Sequence, residues 1–187
     1  MCGIFGAISQ NNVDVNKLKN LVKHARQRGR DSSGLVKFNS NKYHVTRANK
    51  DIKKLFKTHK VNDSKFVMGH SRLITNGLSD NQPVVRDGLI LIHNGIIVND
   101  NEIWNDITVE QKFEIDSEAI IGLAIEFFNQ GGEIKLLSEY ILSKCKGTVS
   151  CALAIPKLGK LILISNNGSL YLGDYKNTKY FSSEKFP

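Results

Sequence analysis

Cys2 is the residue whose position most directly suggests chemistry. The 187-residue chain begins Met1-Cys2-Gly3-Ile4-Phe5-Gly6, so a thiol occupies the second position with small or apolar residues behind it. Small residues after Met1 permit removal of an initiator methionine, and Cys2 then carries both a thiol and a free α-amine. A thiol of ordinary pKa about 8.5 is mostly protonated at pH 7, whereas an α-amine of about 7.7 to 8.0 can accept its proton, directly or through one water. A nucleophile paired with its own amine needs no catalytic histidine. Taken alone, Cys2 reads rather as a small apolar residue buried in an edge strand, as cysteines often are, and the rest of the chain changes that reading.

The other two cysteines, Cys145 and Cys151, complete an odd, sparse set without a CxxC pair. That pattern argues against a disulfide framework and a structural zinc site, so free thiols and no metal are expected. His70 and His93 have the right type for bases, but an amine-assisted thiol requires neither; both are expected to be core or supporting residues. No phosphate-cradling GxxxxGK loop is present, and no cofactor is expected.

The formal charge is +8 at pH 7, with Lys17, Lys19, Lys23, Arg26, Arg28 and Arg30 early and Lys50, Lys53, Lys54, Lys57 and Lys60 following. Without interleaved aromatics or a binding motif, this balance reads as a solvated surface rather than a nucleic-acid site. No segment approaches the roughly 20 apolar residues of a membrane span, and the start lacks a signal peptide's basic and apolar regions. A cytoplasmic protein that does not enter a membrane is expected. The length suits one domain over residues 1–187, with no internal linker.

Several elements must position these groups. The apolar run Gly3 to Ser9 reads as a buried strand. Leu18, Leu21, Val22 and Ala25 fall at helical spacing within 15–28, and Gly29 ends the pattern. "GLVKF" and "KYHVTR" flank Asn39-Ser40-Asn41 as a hairpin, and a short helix over 51–59 follows. "KFVMGHSRLI" and "GLILIHNGII" each run from a strand into a polar loop, at Gly77 and at Gly95. Ser117 can cap a helix carrying Ile120, Leu123, Ala124 and Phe127, and a second helix carries Ile134, Leu137, Ile141 and Cys145. "TVSCALAI", "KLILIS", "SLYLG" and "KYFSS" read as strands, with Asn166-Asn167-Gly168 as a hairpin signal. Strands at both ends with helices between predict an α+β fold of stacked sheets with helix pairs outside.

Six stretches, "CGIFGAIS", "QRGRDSSG", "GHSRLITNG", "NQPV", "IHNGIIVN" and "EIDSEAI", occur in one order across residues 2 to about 120. In order and approximate spacing they resemble the glutaminase domain of class II glutamine amidotransferases, whose relatives include glucosamine-6-phosphate synthase, asparagine synthetase and the amidotransferase of purine synthesis. The resemblance implies the four-layered αββα sandwich of the N-terminal nucleophile hydrolases. It implies glutamine as substrate, hydrolysed to glutamate and ammonia through a thioester on Cys2. It also implies that Asn94 and Gly95 form the oxyanion hole, Arg72 holds the substrate carboxylate, and Asp116 holds its ammonium or caps the following helix. Thr75, Asn76 and Gly77 correspond to a segment that closes around glutamine. Arg28 with Asp31, and His93, would support the site. At Gly95 a Cβ is expected to collide with bound substrate.

Leu73 stands where glucosamine-6-phosphate synthases usually carry tryptophan, which points toward asparagine synthetase, whereas the histidine before Asn94-Gly95 points the other way. No synthase domain lies within the 187 residues, so the ammonia acceptor is expected in a further domain or partner. Homo-oligomerisation is left open. The competing expectation is a catalytically idle module that binds glutamine or scaffolds a synthase, and retention of Met1 would favour it. A third reading, an acylase acting on another amide, fits less well, since Arg72 and Asp116 match the two charges of a free amino acid.

Overall fold

In the computed structural model, which describes residues 2–73 and 81–185, the elements run β1 (Gly3–Ser9), α1 (Val15–Ala25), β2 (Ser32–Asn39), β3 (Lys42–Ala48), α2 (Ile52–Thr58) and β4 (Phe66–Arg72). Then come β5 (Val84–Arg86), β6 (Leu89–His93), β7 (Ile96–Ile97), α3 (Asp100–Asp106), α4 (Ser117–Asn129) and α5 (Leu137–Lys144). The chain continues through β8 (Gly147–Thr148), β9 (Ser150–Ile155), β10 (Lys160–Ser165), β11 (Tyr171–Tyr175) and β12 (Thr178–Ser182).

Alternation along the central strands dictates the layering. Ile4 of β1 and Met68 of β4 face one way, Phe5 and Val67 the other, and all four are fully buried. A strand apolar on both faces must be covered on both. The same holds for β6 and β9, where Ile92 and Ala152 face inward while Leu91 and Leu153 face outward. Each set packs in its own cluster. Ile4, Val36, Met68, Ile92, Ala152 and Phe181 fill the space between a six-stranded sheet, β11-β12-β1-β4-β2-β3, and a four-stranded sheet, β10-β9-β6-β5. Phe5, Leu35 and Val67 pack against Leu18, Val22 and Leu55 of α1 and α2, and Leu91 and Leu153 against Ile120, Leu123 and Ile141 of α4 and α5. The expected αββα order is the one observed. Burying side chains of this size contributes about 1.5–3 kcal/mol each, enough for three such clusters to hold four layers.

Local chemistry sets the element ends. Asp14 caps α1 by accepting from the Asn16 and Lys17 N–H groups, and α1 passes into a single 3-10 turn over Arg26–Arg28. The hairpin joining β2 and β3 turns on Ser40 and Asn41, at φ 45° and 64°, as a two-residue turn of its twist requires. Two expectations need correction. The cap of α4 is Asp116, whose Oδ1 accepts the Ser117 N–H, while the Ser117 hydroxyl is directed elsewhere. Asn166-Asn167-Gly168 is not a hairpin: β10 lies in the four-stranded sheet and β11 in the six-stranded one, so the turn carries the chain across the sandwich. Side-chain bonds hold it there, from the Asn166 Nδ2 to the Gly147 carbonyl at 3.0 Å and from the Ser150 Oγ to Asn167 Oδ1 at 2.8 Å.

Lys17, Lys19, Lys23 and Arg30 are exposed, while Arg26 pairs with Asp51 and Arg28 with Glu184. Among the described residues no helix is long and apolar enough to cross a membrane.

Candidate active site

The inward rows of both sheets change character at one end of the sandwich. Along β1 the row runs back from Ile4 to Cys2, along β4 on from Met68 to His70 and Arg72, and along β6 on from Ile92 to Asn94. Side chains two apart share a strand face, so the even-numbered positions that build the apolar interior become polar together where the strands end. The β1–β4 register sets Gly3 opposite Ser71 and Ile4 opposite His70, which brings Cys2 beside Arg72.

Asn94 bridges the two sheets. Its Oδ1 accepts the Cys2 N–H at 3.1 Å, a contact between residues 92 apart in sequence. With Oδ1 so engaged, the amide presents its Nδ2 donors on the other side. The backbone of Asn94 is fixed in both directions, its N–H donating to the Ser150 carbonyl at 2.8 Å and its carbonyl accepting the Ser150 N–H at 3.2 Å.

Cys2 is half-buried, and burial pushes its thiol above the ordinary value; the charge of Arg72 and a backbone hydrogen bond from Leu73 pull it down, and Asp116 pushes it up. Arg72, Leu73 and Asp116 therefore all act on the sulfur. Arg72 is only 9% exposed, a buried cation at the mouth of the sandwich. Asp116 accepts the Ile97 N–H on Oδ2 and the Ser117 N–H on Oδ1, each at 2.8 Å. A carboxylate offers about four acceptor sites, so a capping Asp116 keeps capacity for a ligand's cation.

A thiol held protonated needs a base, and neither histidine is placed to be one. His93 points outward to the helical layer, its Nε2 donating to the Thr148 carbonyl at 3.1 Å and its Nδ1 accepting from the Ser117 hydroxyl at 2.9 Å. Burial lowers its pKa, with Asp116 opposing. His70 is fully buried, and burial together with the charges of Arg72 and His93 holds its pKa at about 3, too weak to take a thiol's proton. Cys145 and Cys151 lie in the helix-side core, and burial raises both thiols, Cys145 to about 11.

Residues 28–31 brace the end of β4. The Asp31 N–H donates to the Arg72 carbonyl at 3.1 Å, the Ser71 hydroxyl donates to the Gly29 carbonyl at 2.7 Å, and the Arg28 guanidinium pairs with Glu184 just beyond β12. Gly95 is constrained by the protein itself: a Cβ there overlaps the Thr148 carbonyl and crowds His93 Nε2 at 2.5 Å. Thr75, Asn76 and Gly77 lie outside the described residues. Sequence reading assigned no role to Gln82 and gave Ser117 only a capping one. Both are buried among the site's supports, and the only signal was Gln82 inside the "NQPV" stretch.

A family model described as a glutamine amidotransferase domain matches residues 70–186. The chain is 29% identical over 177 residues to a glutamine–fructose-6-phosphate aminotransferase (isomerizing) of Oceanobacillus iheyensis, covering 90% of this chain and 29% of that protein. It is 30% identical over 188 residues to the enzyme of the same name from Bacillus subtilis, covering 95% of this chain and 31% of that protein. The chain thus spans under a third of the length of these curated relatives. Among solved structures, the glutamine phosphoribosylpyrophosphate amidotransferase of B. subtilis superimposes with a TM-score of 0.74 at 22% identity, over 97% of this chain and 42% of that one, a likeness of fold.

Proposed function

Since the chain belongs to the glutamine amidotransferase domain family, we propose that Cys2, freed of Met1, is the nucleophile that hydrolyses the glutamine side-chain amide to glutamate and ammonia. One observation carries the reading: Cys2 bonds through its own nitrogen to Asn94 across the sheets, beside a buried Arg72 and Asp116. With Met1 gone, the nitrogen facing Asn94 Oδ1 is the α-amine, held next to the thiol it must deprotonate.

The thiol proton passes to that amine as sulfur attacks the amide carbon. The tetrahedral oxyanion is met by Asn94 Nδ2 and the Gly95 N–H, and its collapse breaks the C–N bond as the amine returns the proton to departing ammonia. Water then attacks the thioester, releasing glutamate and restoring the thiol. Arg72 receives the substrate carboxylate in a fork that lysine cannot reproduce, and Asp116 receives the ammonium. Arg28 and Asp31 support Arg72. The ammonia passes to a synthase domain or partner in the cytoplasm. Leu73, adjacent to Arg72, and Ile96 and Val98, two and four residues beyond Asn94, are 46%, 61% and 69% exposed apolar side chains that remain free for contact with that acceptor.

The test is a kinetic split. Asp116→Asn keeps an acceptor for one of the two backbone N–H groups and removes the charge that meets the ammonium. A hydrogen bond to a charged group is worth about 1.5–3 kcal/mol, so KM for glutamine rises roughly 10- to 100-fold with kcat little changed. An unchanged KM in a variant of wild-type stability contradicts the assignment.

A further inference from the structure

Gln82 takes no part in the reaction just described, yet it is 3% exposed and both ends of its side chain are engaged at the site's frame. Its Oε1 accepts the His93 N–H, and its Nε2 donates to Ser117 Oγ at 3.1 Å. The direction of the next bond is then fixed. His93 Nε2 carries the neutral ring's single hydrogen toward the Thr148 carbonyl, so Nδ1 is an acceptor and the Ser117 hydroxyl hydrogen goes to it. The result is a closed circuit, Gln82 to Ser117 to His93 and back to Gln82, in which each link joins a donor to an acceptor. His93 immediately precedes Asn94, and Ser117 immediately follows Asp116.

The Gln82 backbone is itself held against the other sheet. The Asn81 Nδ2 donates to the Ser33 carbonyl at 3.3 Å, the Arg47 Nε donates to the Pro83 carbonyl at 2.7 Å, and a Cβ at Gly34 would overlap the Gln82 carbonyl. Gln82 thereby reaches from the six-stranded sheet to β6 and to the first turn of α4.

We propose that Gln82 is a positioning residue for glutamine hydrolysis, bracing the oxyanion donors of Asn94 and Gly95 against the start of α4 through Ser117 and His93. The proposal rests on the assignment of Cys2, Asn94 and Gly95 above. Its logic is directional. The Thr148 carbonyl, against which Gly95 packs, holds the His93 hydrogen on Nε2, and the Gln82 Nε2 donor occupies the Ser117 oxygen so that its hydroxyl hydrogen stays on His93 Nδ1. Asp116 keeps its bonds to the Ile97 and Ser117 N–H groups without Gln82, so the loss falls on the transition state rather than on substrate binding.

Two variants test this. Gln82→Leu removes both ends of the brace; Gln82→Glu keeps the acceptor for the His93 N–H but puts an acceptor where the donor was. A displacement of about 1 Å at a reacting centre costs on the order of 100-fold, so Gln82→Leu lowers kcat at least about tenfold while KM for glutamine moves less than about threefold. In ¹⁵N spectra of the imidazole rings, wild type shows His93 neutral with hydrogen on Nε2, and Gln82→Glu alters that pattern because Ser117 turns toward the carboxylate. A folded Gln82→Leu with wild-type kcat overturns the proposal. If Gln82→Leu does not fold, Gln82→Glu decides: unchanged kcat or an unchanged His93 spectrum overturns it. Absence of glutaminase activity in wild type would instead count against the Cys2 reading, and the ring spectrum reports on Gln82 independently of that result.

Discussion

Cys2→Ala abolishes glutamate release from glutamine, by at least about 10⁴-fold, without unfolding the protein. The magnitude follows from removing the atom that forms the intermediate, since loss of a nucleophile leaves only what binding and the oxyanion hole supply. The fold survives because Cys2 lies outside the three apolar clusters, and alanine keeps the backbone N–H that bonds Asn94 Oδ1. A coupled glutamate assay beside thermal melts reads both parts. Residual turnover above a few per cent of wild type shows that another group does the chemistry, and the buried, weakly acidic Cys145 and Cys151 are poor candidates for it.

Gly95→Ala is the second large effect, and it acts through geometry alone. The added methyl overlaps the Thr148 carbonyl, whose own place is fixed by His93 Nε2, so the loop must move rather than its neighbour. Overpacking of this kind costs typically 1–3 kcal/mol of stability. The catalytic loss is greater, because the moved peptide is the one whose N–H meets the oxyanion, and losing one such donor costs about 10²–10³ in kcat. Gly173→Ala is the control, since a Cβ there meets nothing within 4 Å. A Gly95→Ala enzyme that melts lower but turns over at the wild-type rate would show that Gly95 serves packing only.

How far the sequence reached depended on the range of the interaction concerned. Continuous apolar runs in β1, β4, β6 and β9 gave buried strands, and the apolar faces of α1, α4 and α5 gave the outer layers, because each signal lies within one short window. α3 escaped notice since Ile103 is its only buried residue, leaving no stripe to read. β5 escaped although Asp87-Gly88, at φ 47° and 78°, is a strong hairpin pair. Asn166-Asn167-Gly168 misled because turn chemistry fixes a local bend and not the sheet that the next strand joins. At the site, Cys2, Arg72, Asn94 and Asp116 stood out through an ordered set of motifs, and the sandwich brings them to one end. Gln82 and Ser117 did not, because the bonds that define them link residues 35 and 24 apart and nothing local marks such a pair.

The most direct measurement is intact mass and peptide mapping of the purified protein after treatment with a glutamine analogue bearing an electrophilic ketone in place of the side-chain amide. The account predicts a chain that begins at Cys2, takes up one equivalent of label on that residue alone, and is protected by excess glutamine. A chain that hydrolyses glutamine with Met1 still attached, or that carries its label on Cys145 or Cys151, would contradict it.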